Sequence, residues 1–196
     1  MKHKFLFAAA IMIMLSGQGA RAAESDTLRV RWAVSTNLPT WAALGSINAE
    51  AHYVFAPHWS ACAGFKYNPF TWRAGTPRQV HLRQATGHIG VRYWFSEPWG
   101  GWFVGAKALA SEFSIACPAK GRYYDGYLYG SGLCAGCCLP LCENLTLGLG
   151  AGVAAARHTT TFYMGPVCGR ITGRERGWTL FLSDAIVSIN YTFSAK

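Results

Sequence analysis

Leu145-Thr146-Leu147-Gly148-Leu149-Gly150-Ala151-Gly152-Val153 is the stretch that decides the fold. Apolar side chains recur at every second residue, and threonine or glycine fills the places between. A period of two belongs to a β-strand, whose successive side chains point to opposite faces. The polar face of a soluble strand normally carries larger hydrophilic groups. Here it is small, as if it faced a narrow interior, while the leucines face outward.

The same rhythm runs through the chain. It predicts eight strands, at about Leu28 to Ser35, Ser46 to Phe55, His58 to Tyr67, Val80 to Phe95, Trp102 to Phe113, Tyr123 to Leu139, Asn144 to Thr160 and Gly177 to Phe193. Short joints fall at Ala56-Pro57-His58, Glu97-Pro98-Trp99-Gly100 and Pro140-Leu141-Cys142-Glu143. Long joints fall at Asn37 to Gly45, Asn68 to Val80, Ser114 to Asp125 and Thr161 to Gly177. Short and long alternate strictly. In an up-and-down sheet consecutive joints lie at opposite ends, so the long joints share one end and the short joints share the other. The fold class expected is all-β: an eight-stranded antiparallel up-and-down transmembrane barrel with short periplasmic turns and long outer loops.

Bulk composition agrees with that reading. Only 14% of the 196 residues are charged and 51% are hydrophobic, against a usual charged share of about 25%. No internal stretch reaches the ~18 apolar residues of a spanning helix. Residues 1–22 read as a secretory signal: Lys2, His3 and Lys4 are followed by the apolar run Phe5 to Leu15 and by the small-x-small site Ala20-Arg21-Ala22. An anchoring helix is the alternative, and the run is too short for it. The expected domain organisation is therefore a signal peptide, 1–22, and an outer-membrane β-barrel, 23–196.

Isolated charges on the small-residue faces predict a polar network in the lumen, made of Arg31, Glu50, Lys66, Arg92, Lys107 and Asp184. Buried charges must be paired, and Glu50 and Asp184 are the acids at hand. An eight-stranded barrel has an interior that side chains fill, so a plugged core is expected rather than a pore. His52 and His88 read as hydrogen-bonding residues of that lumen. Trp59, Tyr93, Trp99, Trp102, Tyr191 and Phe193 read as the aromatic girdle near the short turns, with soluble-sheet hairpin aromatics as the alternative. The outward alternation Val187, Ile189, Tyr191, Phe193 looks like an insertion signal, which makes the barrel insertion machinery an expected partner.

Arg73, Arg78, Lys120, Arg122, Arg170, Arg174 and Arg176 fall in or beside the long loops. Basic loops at one end could face outer-membrane lipid and the phosphates of lipopolysaccharide, or simply be solvated. Nucleic acid is a poor partner for an exported chain. Of the seven cysteines, Cys117 and Cys168 lie in separate long loops at one end, where a disulfide can form. Cys134 and Cys137 point to opposite faces of a strand, which argues against a zinc site. No cofactor or metal motif is found.

At Val34-Ser-Thr-Asn-Leu38, Phe65-Lys-Tyr-Asn-Pro-Phe70, Arg92-Tyr-Trp-Phe-Ser-Glu-Pro98 and Gly126-Tyr-Leu-Tyr-Gly-Ser-Gly132 the chain resembles the domain of unknown function 3575 family, small exported proteins of Bacteroides-type bacteria. The resemblance implies an outer-membrane barrel, in some cases accessory to fimbria assembly, with fimbrial or surface proteins as partners. It implies no activity and no catalytic residues. The function expected is thus non-enzymatic, structural or surface-interacting. Two other classes stand beside it. One is a lipid A-modifying enzyme using His81 and Glu112 near Ser111. The other is a soluble periplasmic lipid-binding barrel, which would turn its apolar faces inward.

Overall fold

The computed structural model describes residues 30–42, 45–76, 79–117, 122–164 and 169–194. The residues of the expected signal peptide lie outside these, as do Arg78, Lys120 and Cys168 and the side chains of Arg31, Cys117 and Arg122. In chain order the elements are β1 (Val30–Asn37), α1 (Leu38–Ala42), β2 (Ile47–Ala56), β3 (Trp59–Asn68), β4 (Thr71–Trp72), β5 (Val80–Trp94), β6 (Gly101–Cys117), β7 (Arg122–Cys142), β8 (Leu145–Met164) and β9 (Arg170–Ser194). Every pairing is antiparallel, and each strand pairs with its neighbours in sequence, except that β9 returns to β1 and β3 pairs with β5. The sheet therefore closes into a ring.

Nine strands are observed where eight were expected. The extra one, β4, continues the line of β3. Asn68 lies opposite Gln84, and Thr71 and Trp72 lie opposite His81 and Val80 in the same register on β5. Pro69 lacks the N–H that a ladder needs, and Asn68 Oδ1 accepts instead from the Phe70 N–H at 3.0 Å. One strand position of the ring is thus broken in two at a proline.

The ring is steeply staggered. Paired residues followed from Val34 run through Ala51, Ala63, Ile89, Ala108, Ser131 and Ala155 to Leu180, whereas Val34 itself pairs with Tyr191. A closed sheet with such an offset must tilt its strands against the barrel axis, typically by about 35–45°.

Two long loops are shorter than expected. β6 and β7 continue to Cys117 and from Arg122, and β8 and β9 continue to Met164 and from Arg170. Arg170, Arg174 and Arg176 therefore sit on β9, and Arg122 opens β7, not in loops as expected. Apolar alternation marks a strand only while one face is apolar. Above that level both faces mix polar and apolar residues, and threonine and aromatic residues such as Thr159, Thr160, Thr161 and Phe162 carry the ladder on. Arg73 does lie in a connection, with a left-handed φ of 55°. The connection after β1 contains α1, which alternation alone did not indicate.

The wall is apolar on its outside. Trp32, Tyr53, Trp59, Ile89, Leu133, Val153, Leu180, Leu182, Ile189, Tyr191 and Phe193 are all exposed, while His52, Ser60, Asn68, Ser111, Ser188 and Asn190 are buried. This is the reverse of a soluble lipid-binding barrel. From Arg83 to Tyr93 on β5 the outer wall spans roughly ten residues, ~25 Å of height for a tilted strand. Among the described residues no helix is long and apolar enough to cross a membrane.

Candidate functional site

Strand register places the lumen charges. Glu50 on β2 lies opposite Gly64 on β3, which lies opposite His88 on β5. The missing side chain at Gly64 lets the His88 ring reach over β3, and its Nε2 lies 3.2 Å from Glu50 Oε2. A Cβ at Gly64 would stand 2.6 Å from that ring and 2.9 Å from the Ala49 carbonyl oxygen. Gly64→Ala is therefore expected to cost about 1–3 kcal/mol, the usual penalty of overpacking, seen as a lower urea midpoint. An unchanged midpoint would mean His88 is free to leave Glu50.

Glu50 is the hub of this half of the lumen. The Arg92 Nη2 donates to its Oε1 at 2.5 Å, and His52 Nε2 lies 3.1 Å from the same oxygen. Ser35 Oγ holds His52 Nε2 at 3.1 Å. Across the lumen, Asp184 on β9 takes Lys66 Nζ at 3.0 Å and also pairs with Lys107. Lys66 is on β3 and Lys107 on β6, so one carboxylate ties three strands together. Glu50, Lys66, Arg92, Lys107 and Asp184 thus meet in the lumen, around a cavity of about 40 Å³. Cys62 and Cys134 line the same space. Cys62, Cys134, Cys137, Cys138 and Cys142 are free thiols. The cysteines expected to pair, Cys117 and Cys168, lie outside the described side chains.

The short-turn end is closed by rings. Trp94, Trp99 and Phe103 are buried together with Ala33 and Cys138. Trp94 lies 5.2 Å from Trp99 and 5.1 Å from Phe103 between ring centroids. The Arg92 guanidinium sits 4.9 Å from the Phe103 centroid, within cation–π reach, and the Trp94 Nε1 donates to Ser60 Oγ at 3.0 Å.

Trp99 corrects the expected girdle. It is 4% exposed and points into the lumen, edge-on to His52 at 4.8 Å. Its φ of 71° turns it inward. Strand alternation does not extend through a turn, so the direction of this ring had no periodic signal. The other girdle residues lie on the outer wall near the short turns. Trp59 packs on Tyr93 at 5.1 Å and Tyr191 on Phe193 at 5.0 Å, and Trp102 is half-buried beside them. Trp32, paired with Tyr53 at 4.7 Å, extends this belt.

The hydrolytic candidates are not brought together. His81 lies opposite Ala116, while Glu112 lies opposite Ala85, four residues further along β5, or roughly 13 Å at strand rise. His81 is instead bound to Gln79 and Ser114, each at 3.0 Å. Ser111 faces the lumen and shares a 2.7 Å hydrogen bond with Thr86 Oγ1.

A closed antiparallel ring with an apolar outer wall, cross-braced by buried ion pairs, is a β-barrel built inside out relative to soluble ones. The family model described as "protein of unknown function (DUF3575)" matches residues 5–193, and the chain belongs to this family. No curated protein matches the chain.

Proposed function

We propose that this protein is an integral outer-membrane barrel with a non-enzymatic, structural or surface-interacting role. One observation carries the reading: large apolar side chains face outward around the wall while Glu50, Lys66, Arg92, Lys107 and Asp184 turn inward. Such a wall is costly in water and favourable in hydrocarbon. Its height suits the ~25 Å apolar band of such barrels. With the lumen filled by side chains, the surface left for partners is the long-connection end, where β6 to β9 rise above the rest. The fimbrial or surface proteins implied by family resemblance would meet that rim. The outward Val187, Ile189, Tyr191 and Phe193 at the end of β9 suit recognition by the barrel insertion machinery.

Envelope fractionation tests this. The protein is expected in the outer-membrane fraction, resistant to high salt, and to run at different positions on a gel before and after heating. Release by salt alone with no heat-dependent shift would overturn the reading.

A further inference from the structure

We propose that the outward face of β8 and β9 binds a phosphorylated lipid of the outer leaflet, of the lipid A class. Arg157 and Arg176 would hold a phosphate, with an acyl chain lying on the wall beneath. The proposal rests on the membrane reading above and gives it a ligand.

The outward column of β9 reads Arg174, Arg176, Trp178, Leu180, Leu182, all exposed. On β8, Arg157 lies opposite Trp178 and Thr159 opposite Arg176. Arg157 and Arg176 are therefore diagonal neighbours across the pair, about 7–8 Å apart at the backbone. Two guanidinium forks at that spacing can both reach one phosphate, which arginine binds bidentately.

The cations lack a local answer. Among the described residues none of Arg157, Arg174 and Arg176 pairs with a carboxylate. Asp125 shares the row of Arg174 two strands away, with Thr161 between them, about 10 Å at strand spacing. Glu112 shares the row of Arg176 three strands away, and Glu175 points to the other face of β9. The patch therefore presents positive charge to an anion.

The wall decides between a free phosphate and a lipid. Directly below Arg157, the row Ile89, Ala108, Ser131, Ala155, Leu180 forms a groove. Ile89 is 66% exposed and Leu180 77%, so both stand up as ridges. Ala108, Ser131 and Ala155 form a low floor between them, bordered below by the exposed Leu133, Val153 and Leu182. An apolar hollow with Arg157 on its upper edge, and Arg176 beyond Trp178, is complementary to an acyl chain that ends in a phosphorylated head group.

Native mass spectrometry of the detergent-solubilised barrel tests it, with diphosphoryl lipid A, its dephosphorylated form and inorganic phosphate as probes. Wild type is expected to retain diphosphoryl lipid A. Retention should fall roughly tenfold or more in R157Q/R176Q, as for loss of charge-assisted bonds. It should also fall in Ala155→Leu, which fills the floor but keeps the arginines. Both variants should keep the heat-dependent gel shift, which reports the barrel independently of the lipid. Equal retention by wild type and R157Q/R176Q, or of the dephosphorylated form, would overturn the site. Displacement of lipid A by inorganic phosphate at equal concentration, or a lipid-independent dimer that Ala155→Leu disrupts, would overturn the lipid as occupant.

Discussion

Glu50→Gln is expected to destabilise the barrel by about 3–5 kcal/mol, the cost of leaving a buried charge without its partner. The carboxylate serves three groups at once. Arg92, His52 and His88 all converge on it, and Arg92 has no second carboxylate to turn to among the described residues. Its Nε already lacks a partner. The substitution keeps size and shape and removes only the negative charge, so packing cannot account for the loss. The paired change Glu50→Leu with Arg92→Met is expected to cost less than Glu50→Gln alone, because it removes the stranded cation as well. Urea titration, read as the fraction of the fast-migrating folded form on a gel, measures both. A Glu50→Gln barrel as stable as wild type would rule out the ion-paired hub.

Trp99→Ala is expected to cost a similar amount, about 3–5 kcal/mol for loss of a buried aromatic ring. The ring fills the short-turn end against Trp94 and His52, and nothing nearby is large enough to replace it. The backbone adds a second, separable effect. A non-glycine residue in the left-handed region carries about 1–3 kcal/mol of strain, and alanine at φ 71° keeps it. Trp99→Gly relieves it, so the glycine variant should be the more stable of the two by about 1 kcal/mol. Urea midpoints of the two variants give the comparison. A glycine variant less stable than the alanine variant would mean that the turn is not held in the left-handed conformation.

Much of this architecture was readable before any coordinates. The alternation in Leu145 to Val153 locates a strand and both of its faces, because a wall with lipid-suited and lumen-suited sides imposes period two on the residues. The alternation of short and long joints then orders the strands, and single charges among glycines mark Glu50, Lys66, Arg92, Lys107 and Asp184 as inward. The rest depended on register. That His88 crosses Gly64 to reach Glu50, or that Lys66 and Lys107 share Asp184, follows from which residues stand opposite one another, and no local pattern states that. Register also separates His81 from Glu112. The upper ends of β6, β8 and β9 lie beyond the expected strands because their two faces differ too little in polarity to leave a rhythm. Trp99 escaped because a turn obeys no alternation. Arg157, which the proposed lipid site uses, carries little signal in the sequence because it lies on a strand and not in a loop. Its one signal was an arginine at an outward position of an alternating segment.

The seam between β1 and β9 bears on how the chain can come together. β1 is held to β2 only from Trp32 to Ser35 and to β9 only from Val30 to Asn37, whereas β8 and β9 are paired along nearly their whole length. From Arg170 to Val187 the other edge of β9 has no strand beside it among the described residues. There the Asn37 side chain donates to the Ala185 carbonyl and accepts from the Val187 N–H. The first strand and the last are thus joined by a short ladder, and β1 is held on its other side by a shorter one still. Hairpins from β2 to β9 can form as their residues become available, since each pairing among them except β3 with β5 joins neighbours in sequence. The circle itself cannot close until Tyr191 and Phe193 reach Val34 and Trp32. Closure therefore waits on the last-made strand, and a protein truncated before Ser188, which removes every β9 partner of β1, would hold a sheet without a barrel.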